Sequence, residues 1–124
     1  MGKKIMIVDD DFDILMSVKN IFEYEGHEVL AFDSGKKCYE NLLNNEIPDL
    51  IIMDIMMPGM TGWMLSDRIK ENPAWRNIPI VFLTGRTDDL AKKASSTVSA
   101  EYIQKPFNIE YLKERIESIL MANT

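Results

Sequence analysis

Five polar side chains in this sequence stand where chemistry is easiest to build. Asp9 and Asp10 follow the apolar run Ile5-Met6-Ile7-Val8, and Asp54 follows Leu50-Ile51-Ile52-Met53. Thr84 follows Ile80-Val81-Phe82-Leu83, and Lys105 follows Tyr102-Ile103-Gln104. Three carboxylates brought together repel one another, and each disfavours ionisation of the others. A divalent cation relieves that repulsion. Mg²⁺ suits the task, because it takes oxygen ligands, keeps several waters and favours one or two carboxylates together with phosphate oxygens. With one histidine and one cysteine in the chain, a nitrogen–sulfur metal site is nearly excluded. A carboxylate can also act as a nucleophile and form an aspartyl phosphate. That transfer asks for positioning and charge neutralisation rather than elaborate acid–base chemistry. Mg²⁺ would supply part of the neutralisation, and the Lys105 ammonium another part as a compact point charge. The Thr84 hydroxyl can donate a hydrogen bond to a phosphoryl oxygen. Taken singly these residues are bland, since acidic groups often end strands by capping the next helix. Their combination, in this order, is what points to phosphoryl chemistry.

The elements that must position them alternate along the chain. Short continuous apolar runs such as Ile5–Val8 suit strands buried on both faces of a parallel sheet. The first is followed by a helix carrying Ile14, Leu15, Val18, Ile21 and Phe22, with Asp11 or Asp13 as its cap and Gly26 as its stop. A second strand is expected from His27 to Phe32, then a turn at Asp33-Ser34-Gly35 and a helix with Tyr39, Leu42 and Leu43. The third strand ends on Asp54. A loop containing Pro58, Gly59, Thr61 and Gly62 leads to a helix from about Trp63 to Glu71, broken by Asn72-Pro73. The fourth strand ends on Thr84, a polar and weakly patterned helix is expected near Asp88 to Ser96, and the fifth strand ends on Lys105-Pro106. The last helix sets Ile109, Leu112, Ile116 and Ile119 on one face. Five strand–helix alternations imply a doubly wound α/β domain of five parallel strands and five helices, one domain over residues 1–124. In such sheets ligands bind outside the carboxyl ends of the strands, where all five polar residues fall.

Composition narrows the function. The 124 residues suffice for one core. The net charge of −6 argues against direct nucleic-acid or membrane-surface binding, which needs a basic footprint. Cys38 has no partner for a disulfide and reads as a packed or half-exposed helix residue. No apolar run is long enough for a signal-peptide core or a membrane span, so a cytoplasmic protein is expected. Most of the nine methionines are expected to fill the core, and Trp63 and Trp75 are expected to pack.

The pieces Ile7-Val8-Asp9-Asp10-Asp11, Asp54-Ile55-Met56-Met57-Pro58-Gly59-Met60-Thr61-Gly62, Phe82-Leu83-Thr84-Gly85 and Tyr102-Ile103-Gln104-Lys105-Pro106-Phe107 resemble the receiver domain of two-component response regulators. The resemblance covers essentially the whole chain. It implies a flavodoxin-like fold with strand order 2-1-3-4-5. It implies that Asp54 takes a phosphoryl group from a phosphohistidine on a sensor histidine kinase or phosphotransfer protein. Asp10 and Asp54, supported by Asp9, would ligate Mg²⁺, with the backbone carbonyl of Met56 as a further ligand. Thr84 and Lys105 would sense the phosphoryl group, Tyr102 would be the aromatic switch residue, and Lys105-Pro106 would be a cis peptide. A downstream effector or output domain would receive the signal, and a homodimer is common in the family. The protein would catalyse only its own phosphorylation and dephosphorylation, so it is not an enzyme toward an external metabolite. The chain is expected to be either a stand-alone receiver or one cut from a longer protein.

One stretch departs from the family pattern, and two side chains flank the site where family members vary. Val98-Ser99-Ala100-Glu101 stands where a glycine is usual, which bears on the fourth helix. Met56 and Arg86 flank the site, and their side chains are expected to set much of the phosphoryl lifetime, to be tested with Met56→Asn and Arg86→Ala. The alternative reading is a pseudo-receiver, a protein-interaction module without phosphorylation, which should lack the acceptor, the lysine or the acidic pair. A flavin- or nucleotide-binding enzyme would need a Ser/Thr/Gly-rich loop after the first strand. A dehalogenase-type phosphatase would want Asp where Met56 stands.

Overall fold

The computed structural model describes residues 2–44, 47–85 and 101–123. Its elements run β1 (Lys4–Val8), α1 (Phe12–Tyr24), β2 (Glu28–Phe32), α2 (Gly35–Asn44), β3 (Leu50–Asp54), α3 (Gly62–Glu71), β4 (Ile80–Thr84), β5 (Glu101–Gln104) and α4 (Ile109–Ala122). The five strands form one parallel sheet in the order β2-β1-β3-β4-β5, as expected. Four helices lie among the described residues. The helix expected near Asp88 to Ser96, and the Val98-Ser99-Ala100 departure before β5, lie outside them.

Strand pleating divides the apolar runs between two cores, because successive side chains point to opposite faces. Ile5, Ile7, Leu50, Ile52, Val81, Leu83 and Ile103 face α1 and α4, meeting Leu15, Val18, Phe22, Leu112, Ile116 and Leu120. Met6, Val8, Ile51, Met53, Ile80 and Phe82 face α2 and α3, meeting Cys38, Leu42, Leu65 and Ile69. Burying a side chain of this size removes roughly 1.5–3 kcal/mol of exposure cost, so both faces of the sheet contribute to stability. Trp75 closes the second core and meets Tyr39 edge-on at 5.6 Å. Cys38 is buried there, and burial pushes its thiol up to about 12, as fits an inert core residue. Most of the described methionines belong to the core, as expected, with Met16 and Met60 packed against it. Met6, Met53 and Met57 are core residues, whereas Met56, Met64 and Met121 are exposed. The exposed three sit in a loop, in the first turn of α3 and at the end of α4, where no second layer covers them.

Local chemistry fixes the helix starts. The Asp11 carboxylate accepts from the Asp13 and Ile14 amides at 2.9 and 3.3 Å, which makes Asp11, not Asp13, the cap of α1. Thr61 caps α3 through the Met64 amide, and Asn108 caps α4 through the Glu110 and Tyr111 amides. Gly26 ends α1 with φ +94, a conformation that favours glycine. The Lys105–Pro106 peptide is cis.

Candidate functional site

The parallel register places the polar strand ends side by side. β1 pairs with β3 and β3 with β4, so Asp9, Asp54 and Thr84 close three adjacent strands. Lys105 follows β5, and its amide donates to the Thr84 carbonyl at 2.7 Å. Asp9, Asp54 and Thr84 are buried, and Asp10 is exposed. One carboxylate oxygen from each of Asp9, Asp10 and Asp54 lies within 4.8 Å of the others.

The Lys105 ammonium reaches into this cluster. Its Nζ is 2.9 Å from Asp9 Oδ2 and 3.4 Å from Asp54 Oδ1. Burial alone would lower the Lys105 ammonium, but the hydrogen bonding and charge of Asp9, aided by Asp54, hold it above its ordinary value. Burial is also the largest influence on Asp54 and raises its carboxyl to about 6. The charge of Asp9 contributes to that rise, Lys105 opposes it, and Asp10 adds a smaller push upward.

Asp9 is held by its neighbours. Its amide donates to the Phe32 carbonyl at 3.1 Å, and its Oδ1 accepts from the Asp11 amide at 2.9 Å. Its Oδ2 is different. The atom is shielded from solvent and lies 2.9 Å from the Lys105 ammonium, with its remaining lone pairs unmet among the described residues. A buried carboxylate oxygen with lone pairs to spare, beside two further carboxylates and one ammonium, is a donor set that fits a divalent cation. Softer ligands are elsewhere. Cys38 lies in the core, and His27 is engaged by the Lys3 amide at 3.0 Å and Glu117 at 2.8 Å.

The loop after β3 is braced against the site. The Gly62 amide donates to the Ile55 carbonyl at 2.7 Å, and a Cβ on Gly62 would meet the Asp54 carbonyl oxygen at 2.4 Å. Only glycine lets α3 begin this close to Asp54. In the sequence Gly62 reads as a turn residue, because a close backbone approach leaves no compositional trace. Met56 lies two residues beyond Asp54 with its side chain 61% exposed, and Arg86 lies outside the described residues.

Tyr102 stands opposite Phe82 in the β4–β5 register, and the rings stack at 5.2 Å. Trp63, on α3, packs against the same core. Burial raises the Tyr102 phenol, and the Trp63 indole beside it offsets part of that rise.

The response regulator receiver domain model matches residues 5–117. The chain belongs to this family. This receiver domain is 35% identical over 118 residues to the transcriptional regulatory protein CrdR of Helicobacter pylori, and 36% identical over 117 residues to the response regulator SaeR of Staphylococcus aureus. Each comparison covers 94% of this chain but only 54% and 50% of those proteins. The chain thus spans about half the length of the curated relatives it matches. Among solved structures it superposes on a CheY-like receiver domain protein from Methanospirillum hungatei with a TM-score of 0.89 and 31% identity, over 99% of this chain and 97% of that one. Receiver domains are signalling domains rather than metabolic enzymes. Among the described residues of this one, no helix is long and apolar enough to cross a membrane.

Proposed function

We propose that this receiver domain is a phosphoacceptor switch in which Asp54 takes a phosphoryl group from a phosphohistidine of a histidine kinase or phosphotransfer protein. The observation that carries this is the convergence of Asp9, Asp10 and Asp54 around the Lys105 ammonium. An Asp54 carboxylate oxygen attacks phosphorus, the phosphorus–nitrogen bond to the imidazole breaks, and the departing nitrogen keeps the electron pair. The product is an acyl phosphate on Asp54. Asp9, Asp10, Asp54 and the Met56 carbonyl would hold Mg²⁺, which when bound supplies charge neutralisation for the transferring group.

The chain's own residues do the rest. Lys105 already pairs with Asp54 and turns to a phosphoryl oxygen once one is attached. The Thr84 hydroxyl donates to another phosphoryl oxygen. Tyr102 reads out the change, since a switch is a population shift between two packings biased by new charge contacts. An output domain or effector receives the signal. The net charge of −6 favours a protein partner over direct nucleic-acid or membrane contact.

The test is an intact mass spectrum after incubation with Mg²⁺ and a small-molecule phosphodonor. One added phosphoryl group, absent in Asp54→Asn and without Mg²⁺, is expected. If neither the donor nor beryllofluoride with Mg²⁺ acts on the protein, the pseudo-receiver reading replaces this one.

A further inference from the structure

Two buried polar atoms lie near the switch. The Tyr102 hydroxyl and the Trp63 Nε1 are both shielded from solvent, and neither has an aligned hydrogen-bond partner among the described residues. Tryptophan N–H and tyrosine O–H groups usually find partners when buried, because an unmet bond there is costly. These two are chemically complementary, since the indole only donates and the phenol oxygen can accept. They are also neighbours: both side chains pack against the same core, and the indole N–H comes near enough to the phenol to temper the rise that burial gives it without being aligned for a bond.

Trp63 has a direct mechanical link to the acceptor. It follows Gly62, whose amide is bonded to the Ile55 carbonyl and whose Cα abuts the Asp54 carbonyl. A change in the backbone at Asp54 therefore reaches Trp63 within one residue of α3. On the other side, the stack on Phe82 leaves Tyr102 a flat surface to slide on.

Resting on the phosphoacceptor reading, we propose that Trp63 is a positioning residue of the switch, whose indole N–H captures the Tyr102 hydroxyl when Asp54 is loaded. The unloaded domain is poised just short of that bond. This gives Asp54 a second line to Tyr102, through Gly62 and α3, independent of Thr84.

A double-mutant cycle on beryllofluoride affinity in Mg²⁺ tests it. Trp63→Phe keeps an aromatic ring and removes the donor. It is expected to weaken binding about three- to tenfold in the otherwise unchanged chain, as loss of one hydrogen bond would. In a Tyr102→Phe background the same substitution should have no effect. An equal loss in both backgrounds would mean that Trp63 only packs, and would overturn the proposal while leaving the phosphoacceptor reading intact. No beryllofluoride binding by the unchanged chain would overturn both. A second measurement needs no switch variant. In the fluorotryptophan-labelled chain, with resonances assigned by Trp75→Phe, the Trp63 fluorine signal should shift on adding Mg²⁺ and beryllofluoride. A Trp63 signal that stays put sinks the proposal.

Discussion

Lys105 and Asp9 form an ion pair of 2.9 Å in which the carboxylate is wholly buried and the ammonium is about one-fifth exposed. The pair spans the space where the three carboxylates converge, so the lysine occupies oxygens that a cation would need. Lys105→Ala should therefore have two opposite effects. Stability at neutral pH in metal-free buffer should fall by about 3 kcal/mol, because removing one partner strands buried charge. Affinity for Mg²⁺ should rise about tenfold, because a competing cation is gone. Urea melts with and without Mg²⁺ read both. An unchanged Mg²⁺ affinity would show that the ammonium does not compete for these oxygens.

Asp54 supplies a pH dependence of definite sign. Its carboxyl is raised to about 6 from 3.8, chiefly by burial and then by Asp9. Between those values the folded chain keeps a proton that the unfolded chain releases, so stability falls as pH rises through the window. The penalty is fully present above about pH 6 and absent below about pH 4. Each tenfold change in proton affinity is worth roughly 1.4 kcal/mol, so the penalty amounts to about 3 kcal/mol at most. Asp54→Asn escapes it and leaves the Lys105–Asp9 pair in place. Without metal, this variant should be more stable than the native chain by about 1–3 kcal/mol at pH 7.5, with the gap closing toward pH 4. Denaturant melts at the two pH values decide. A variant less stable at pH 7.5 would mean that burying the charge costs nothing.

Gly62 and Gly59 separate crowding from backbone strain. A Cβ on Gly62 meets the Asp54 carbonyl oxygen at 2.4 Å and Ile55 Cα at 3.0 Å, and both are backbone atoms that cannot swing aside. Gly59 has open space but a φ of +81. Gly62→Ala should cost about 2–3 kcal/mol and also weaken Mg²⁺ binding, because it displaces Asp54 itself. Gly59→Ala should cost only about 1 kcal/mol, from the left-handed backbone, with Mg²⁺ binding intact. Thermal melts and Mg²⁺ titrations of the two variants check this. Equal effects on Mg²⁺ binding would argue against Gly62 as the brace of Asp54.

The fold was legible because each strand is an unbroken apolar run ended by a polar residue. Ile5–Val8 and Leu50–Met53 have too little polarity for anything but a strand covered on both sides. The convergence of Asp9, Asp54, Thr84 and Lys105 followed from that topology alone. Relations set by packing were not legible. Nothing in composition says that Gly62 touches the Asp54 backbone or that Trp63 lies beside Tyr102. Which methionines would stay outside the core was not legible either, since an adaptable apolar side chain is equally at home in a core and on a surface. The choice between Asp11 and Asp13 as cap turned on one side-chain rotamer, which hydrophobic periodicity does not encode.

That cap gives the last test, because Asp9-Asp10-Asp11 holds three adjacent carboxylates with three different roles. Asp9 is buried and paired with Lys105, Asp10 is exposed with an oxygen in the acidic cluster, and Asp11 is spent on the first turn of α1. Asp11→Ala should lower stability by about 1 kcal/mol, the usual cost of a lost cap, and leave Mg²⁺ affinity unchanged. Asp10→Ala should do the reverse. It removes no cap and relieves repulsion with Asp54, so stability without metal should hold or rise slightly. Mg²⁺ affinity should drop at least tenfold, for loss of one carboxylate ligand. Calorimetric Mg²⁺ titration beside urea melts of both variants separates the roles. If Asp11→Ala lost Mg²⁺ affinity as Asp10→Ala does, the cap would be part of the cation site, and the division of labour drawn from the hydrogen bonds of Asp11 would be wrong.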